Sequence, residues 1–249
     1  MKRKKITIVD YGLGNILSAE QSFAKVISTK GISADVRVSN LPKDIENSTH
    51  IVLPGQGAFK SCIDGLKRID GMIAALEKFA LRDKKPFLGI CVGMQLLATL
   101  SEENGNHEGL NWIKGHIKKL PTKNLKMPHM GWNEVLSKNS KKLKFCEEKK
   151  DYYFVHSYYF SCQDEENIMA YTSYGIDFAS IVYKENIYGV QFHPEKSSVQ
   201  GLDIIKNFLL LWNMKVELQK KITIGVDLLT KINDTDLADL CNITEEAIK

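Results

Sequence analysis

Apolar and polar positions follow two rhythms along the first hundred residues. Ile6–Val9, Ala34–Val38, His50–Leu53 and Phe87–Ile90 are short apolar runs rich in β-branched and aromatic residues, and each predicts a strand. Between them the spacing changes to that of one helical face. From Asn15 to about Lys30, Ile16, Ala19, Phe23, Val26 and Ile27 share such a face. From Ile63 to Leu81 the recurring positions are Ile69, Met72, Ile73, Leu76 and Phe79 or Ala80, which predicts a second long helix, and Met94–Leu100 predicts a third. Regular alternation of strand and helix predicts an α/β fold with a mostly parallel central sheet flanked by helices. The pattern changes from about 110 to 192. Val135-Leu136, Tyr152–His156, Ile168–Thr172 and Phe178–Tyr183 are short runs separated by polar turns, which predicts added antiparallel strands in the second half, and Ile187–Phe192 reads as a further strand. Leu202, Ile205, Phe208, Leu209 and Trp212 then form the apolar stripe of a closing helix.

Chemistry enters where the Phe87–Ile90 strand meets the next helix. Gly89-Ile90-Cys91-Val92-Gly93 is the thiol form of the nucleophile elbow, in which a nucleophile sits on a sharp strand-to-helix turn. Gly89 and Gly93 remove side chains that would collide at such a bend. The bend also places the sulfur at a helix start, where positive charge favours thiolate. At the end of the Ile187–Phe192 strand comes His193-Pro194-Glu195. An imidazole here can take the thiol proton and return it to a leaving amine, with the carboxylate fixing its tautomer. A third element, Ile51–Gly57, ends a strand in a Pro-Gly turn whose backbone N–H groups can stabilise an oxyanion. His129 and His156 lack an adjacent carboxylate to orient them, and read as structural or substrate-adjacent.

Composition narrows the class. A chain of 249 residues with 43% hydrophobic and 26% charged residues has enough apolar material for one sizeable core. A net charge of +4 is too small to argue for nucleic acid, and no aromatic-plus-basic motif supports it. Apolar runs such as Phe208–Trp212 are too short to cross a bilayer, and Met1–Lys5 leads directly into a strand rather than a signal segment, so the expected location is the cytoplasm. Five scattered cysteines and six histidines without ligand spacing imply neither a disulfide framework nor a metal site.

The Pro-Gly turn, the elbow and the His-Pro-Glu, in this order, resemble the class I (triad) glutamine amidotransferases. Val9–Asn15, Pro128–Asn133, Tyr153–Tyr158 and Gln191–Ser198 narrow the resemblance to the glutaminase subunits of imidazole glycerol phosphate synthase (HisH type), over residues from about 5 to about 213. The resemblance implies a flavodoxin-like class I amidotransferase fold, with Cys91 as nucleophile, His193 as base and Glu195 as its orienter. It implies a glutamine site at Gly55, Gln56, Gly57, Gln95, Ser157 and Tyr158, and no cofactor. It also implies a heterodimer with a TIM-barrel cyclase subunit (HisF type) that receives ammonia for imidazole glycerol phosphate synthesis, with Asn15, Trp132, Tyr153 and Lys196 at that interface. Gln56 departs from the family, which has a small or β-branched apolar residue there. A paralogue supplying ammonia to amidate a surface-polysaccharide sugar is the alternative. A catalytically silent binding subunit is a third reading, opposed by the intact Cys91, His193 and Glu195. Residues 1–214 form the expected glutaminase domain. Residues 215–249 form an extension of unknown role, with strand-like Ile222–Val226 and helix-like Thr235–Lys249.

Overall fold

In a computed structural model, residues 3–121, 125–138 and 145–211 are described. The chain divides into two units, Met1–Leu209 and Leu210–Lys249. The second lies almost wholly outside the described residues, and so do the strand and helix expected at Ile222–Val226 and Thr235–Lys249.

The first unit opens with β1 (Lys4–Val9), α1 (Ile16–Thr29), β2 (Ala34–Ser39), α2 (Pro42–Glu46), β3 (His50–Gly55), α3 (Phe59–Arg68) and α4 (Met72–Glu77). A wider π turn, Lys78–Arg82, leads to β4 (Phe87–Cys91) and α5 (Val92–Gln95). Then come β5 (Leu100–Ser101), β6 (His107–Glu108), β7 (Gly115–Lys119), β8 (His129–Ser137), β9 (Lys149–His156), β10 (Tyr158–Cys162), β11 (Ile168–Ser173), β12 (Asp177–Lys184) and β13 (Ile187–Val190). A closing helix, α6, begins at 198. One sheet runs β2-β1-β3-β4-β13-β12-β10-β7-β5-β6, with β11, β8 and β9 branching from β12.

The pairs from β2 through β13 are parallel. Every residue of β3, β4 and β13 is buried, as helices on both faces require, and this accounts for their unbroken apolar sequence. From β12 onward most pairs are antiparallel, as the second half of the sequence predicted. α1 buries Ala19, Phe23 and Val26, and the Phe23 ring meets Phe208 of α6 edge-on at 6.3 Å.

Two helices differ from the sequence expectation. The one predicted over Ile63–Leu81 is broken between α3 and α4, because Ile69 turns extended and Gly71 takes a left-handed φ of 73°. Asp70-Gly71 is a turn dipeptide, and it overrides the helical spacing around it. The helix predicted over Met94–Leu100 lasts one turn. Carbonyls that would continue it, on Leu96, Leu97 and Ala98, accept N–H groups from residues 110–113 instead.

Candidate active site

β3, β4 and β13 end together, and three functional elements sit on those ends. Gly55 of β3 is the register partner of Cys91 in β4, and Val190 of β13 is the partner of Ile90. In an open α/β sheet this carboxyl edge is where ligands bind.

Cys91 has φ 55° and ψ −112°, a strained conformation for a residue with a side chain. The strain is held by close backbone packing. A Cβ on Gly93 would lie 1.8 Å from the Leu53 carbonyl oxygen, and one on Gly89 would lie 2.5 Å from that of Gly93. Both glycines therefore act as the sequence predicted. Because α5 is a single turn, a long helix dipole is not what faces the sulfur. The Val92 N–H, first in the helix and without an intrahelical acceptor, is the local donor.

His193 follows β13 and opens a 3₁₀ turn, Pro194–Lys196. Its Nδ1 lies 2.8 Å from Glu195 Oε1, with both side chains at most 5% exposed. Nε2, on the other side of the ring, has no hydrogen-bond partner of ordinary geometry and is coupled electrostatically to Cys91. Burial alone disfavours a charged ring, but Cys91 and Glu195 outweigh it and carry the imidazole up to about 10. Such a ring readily takes and keeps the proton a thiol must lose to attack. A buried hydroxyl unsuspected from the sequence fixes this segment. Ser197 Oγ donates to the His193 carbonyl at 2.6 Å and accepts the Tyr153 N–H at 2.9 Å.

A cavity of about 250 Å³ opens over the sulfur, lined by Gln56, Gly57, Cys91, Gln95, Ser157, Tyr158 and His193 among others. Of the expected ligand residues, Gly55 alone is not in its wall; a Cβ there would meet the Gly93 nitrogen at 2.4 Å, so its part is to let the two turns touch. The turn is strapped from behind, with Tyr11 donating to the Pro54 carbonyl at 2.7 Å and the Cys62 thiol to the Gln56 carbonyl at 3.4 Å. Gln95 Nε2 donates to the Tyr158 carbonyl (3.0 Å) and to Gln191 Oε1 (3.1 Å), leaving its oxygen for a ligand. Glu103, missed in the sequence, also lines the cavity and caps α3 by accepting the Phe59 N–H at 2.7 Å. Its only sequence signal is an acidic pair after a very short strand.

Of the four residues expected at an interface, Lys196 lines this cavity, and contacts link the other three to it or to Glu195. Asn15 Nδ2 is 3.4 Å from Glu195 Oε1, the same oxygen that pairs with His193. The Lys196 ammonium sits 6.0 Å from the Tyr153 ring centre, and the Trp132 ring packs edge-on against the same tyrosine at 6.3 Å. Trp132 is nonetheless 54% exposed, and Met130, two residues earlier on β8, is exposed as well.

The profile of the glutamine amidotransferase class-I family matches residues 11–212. Among solved structures, a glutamine amidotransferase superposes with a TM-score of 0.61 at 14% identity, covering 82% of this chain and 96% of that one. A glutamine amidotransferase from Thermotoga maritima superposes with a TM-score of 0.53 at 17% identity, covering 88% of this chain and 86% of that one. At those identities the likeness concerns the fold alone. The chain belongs to the class I glutamine amidotransferases.

Its relatives are more specific. Imidazole glycerol phosphate synthase subunit HisH of Pelagibacter ubique is 46% identical over 209 residues, covering 83% of this chain and 99% of the relative. The same subunit of Geobacter sulfurreducens is 43% identical over 211 residues, covering 82% and 97%. Within the class, the chain is a member of the HisH family.

Proposed function

We propose that the cavity over Cys91 binds glutamine and hydrolyses its side-chain amide, so that the chain supplies ammonia for imidazole glycerol phosphate synthesis in histidine biosynthesis. One observation carries the reading. A buried Cys91–His193–Glu195 array sits at the ends of the central strands and opens into a cavity, in a chain of the HisH family. Membership in that family favours histidine biosynthesis over amidation of a polysaccharide sugar.

The chemistry follows from the geometry. Cys91 Sγ attacks the amide carbon, and the developing oxyanion is met by the Val92 N–H and the N–H groups of the Gly55–Gly57 turn. His193 passes the thiol proton to the leaving nitrogen, ammonia departs, and a glutamyl thioester remains on Cys91. Water, deprotonated by His193, attacks the thioester; glutamate leaves and the thiol is restored. Glu195 holds the ring and stabilises its charged form throughout. Glu103 offers a carboxylate to the ammonium group of glutamine, and the Ser157–Tyr158 wall faces its carboxylate.

The ammonia acceptor in this reading is a TIM-barrel cyclase subunit docked over Asn15, Trp132, Tyr153 and Lys196. Exposed Trp132 and Met130 on β8 support that surface, since aromatic and Met side chains are enriched at interfaces. The glutaminase domain is assigned to residues 1–214 and an extension to 215–249, since the HisH relatives match almost end to end within about 83% of this chain. The assigned compartment is the cytoplasm; among the described residues no helix is long and apolar enough to span a membrane.

The test is glutamate release by the full chain alone, then with its cognate cyclase and that enzyme's nucleotide ligand. Strong activation that disappears in Cys91→Ala is expected. No activation by that cyclase, with Cys91 still labelled by a thiol-directed glutamine analogue, would overturn the pathway. No labelling at all would overturn the glutaminase.

A further inference from the structure

His129 and His156 stand outside the triad, yet they are joined to its cavity. They are register partners across β8 and β9, and both are buried. His129 lies between aromatic faces, with Tyr174 stacked at 4.0 Å and Phe154 at 4.9 Å. Phe178 meets the edge of His156 at 5.1 Å.

The hydrogen bonds around the pair admit one arrangement of protons. His156 Nδ1 is 2.8 Å from the Tyr158 carbonyl oxygen, which can only accept, so Nδ1 carries the hydrogen. In a neutral ring Nε2 is then an acceptor. His129 Nδ1 lies 2.9 Å from that Nε2 and must be the donor. His129 Nε2 is thereby an acceptor in turn, and Asn133 Nδ2 reaches it at 3.1 Å. The Asn133 amide is fixed independently, since its nitrogen also donates to the Ser173 carbonyl at 3.0 Å and its oxygen accepts the Glu134 N–H at 2.8 Å. An added proton on either ring would set two donors face to face, at Asn133 or between the imidazoles. Burial holds both rings well below the ordinary histidine range, His129 at about 4 and His156 at about 3.

The chain ends on the cavity wall. His156, Ser157 and Tyr158 all line it. The Tyr158 carbonyl accepts from His156 and from Gln95, using both its lone pairs. The Ser157 carbonyl accepts the Leu120 N–H at 3.0 Å. With both wall carbonyls already engaged within the protein, neither is left as an acceptor to repel a carboxylate. We infer that Asn133, His129 and His156 form a one-way relay of two neutral, Nδ1-protonated imidazoles that positions the Ser157–Tyr158 wall for the carboxylate of glutamine. The positioning role rests on the glutamine reading of the cavity; the tautomers do not.

The tautomers are tested on the unaltered full chain by nitrogen-15 NMR of its imidazoles at neutral pH, with His129→Gln used for assignment. Both rings should show a protonated Nδ1 and a bare Nε2. An Nε2-protonated or doubly protonated form at either position overturns the relay.

The positioning role is tested by steady-state glutaminase kinetics in the complex with the cyclase. His129→Leu removes donor and acceptor together and should raise KM for glutamine about tenfold or more while leaving kcat within about threefold. His129→Gln, which keeps one donor and one acceptor, should restore KM to within about threefold of the parent. A fall in kcat with KM unmoved, or a Gln variant as impaired as the Leu variant, overturns the role. If His129→Leu does not fold, Asn133→Ala removes the outer donor without touching either ring and must itself raise KM. An unaltered complex that releases no glutamate from glutamine would refute the glutaminase reading instead, leaving the tautomer result to stand alone.

Discussion

Replacing Gly93 by Ala isolates the contact on which the elbow depends. The added Cβ would sit 1.8 Å from the Leu53 carbonyl oxygen and 2.9 Å from its carbon. The two backbones must part by roughly 1.5 Å or more to reach ordinary contact. Neither side can yield by turning a side chain. Leu53 lies in β3, paired to Gly89 of β4, and leads directly into the oxyanion turn. Overpacking of this kind costs about 3 kcal/mol, a fall of roughly 6–12 °C in Tm for a domain of this size. The expected effect on catalysis is larger, because β3 carries the proposed oxyanion donors of the Gly55–Gly57 turn away from Cys91. A misplacement near 1 Å costs on the order of 10²-fold, and loss of an oxyanion donor about 10²–10³-fold. Glutamate release in the activated complex, read beside thermal unfolding, separates the two effects. Gly31→Ala is the control: its φ is +59° with nothing within 4 Å of the new Cβ, so it should lose about 1–2 kcal/mol to backbone strain and keep kcat. A Gly93→Ala enzyme with kcat within threefold of the parent would refute the packing argument.

Three further outcomes are expected. Glu195→Gln keeps the shape beside His193 but removes the charge, so kcat should drop about 10²–10⁴-fold with KM little changed; activity near the parent value would show that the carboxylate is dispensable. His50, His129 and His156 are held neutral by burial at about 3, 4 and 3, while unfolded histidine titrates near 6.5. Unfolding therefore takes up protons between those values, and stability falls as pH drops below about 6.5, by as much as about 2 kcal/mol per ring at pH 5. His193 has the opposite sign: its contribution is complete below 6.5 and is lost as pH rises through about 10. Urea midpoints that stay constant from pH 7.5 to 5 would contradict the buried-neutral assignment. Trp132→Ala should weaken cyclase binding by about 2 kcal/mol, measured by titration calorimetry, without slowing analogue labelling of Cys91 in the isolated chain; an unchanged affinity would remove Trp132 from the interface.

The sequence revealed what short-range sterics and apolar runs dictate. Strands buried on both faces write themselves as unbroken apolar segments, so β3 and β4 were visible. Glycines at a forced bend gave the elbow, and a proline-stiffened His-x-Glu gave the imidazole–carboxylate pair whose ring lines the same cavity. The rest depends on contacts distant in sequence. β7 carries one buried aliphatic side chain, Ile117, in Gly-His-Ile-Lys-Lys, too little to announce a strand. The early end of α5 depends on backbone donors from residues 110–113. Ser197 and Glu103 are ordinary polar residues until the fold buries one and turns the other into a cavity. His129 and His156 become a pair only through the β8–β9 register.

The position of β13 has a consequence for how the enzyme is made. It lies between β4 and β12 at the middle of the sheet, and Gln191, the residue after it, donates to the Cys91 sulfur 100 residues earlier in the chain. A ribosome needs roughly 5–20 s to synthesise that interval. During it, β4 waits with one edge unpaired, open to mispairing with other strands. Closing so distant a contact is a slow, late event in folding. Insertion of β13 thus joins the two halves of the sheet and brings His193, the proposed base, to Cys91. A nascent chain that has not reached His193 lacks the proposed base, and the appearance of glutaminase activity during refolding is expected to report that the centre of the sheet has closed.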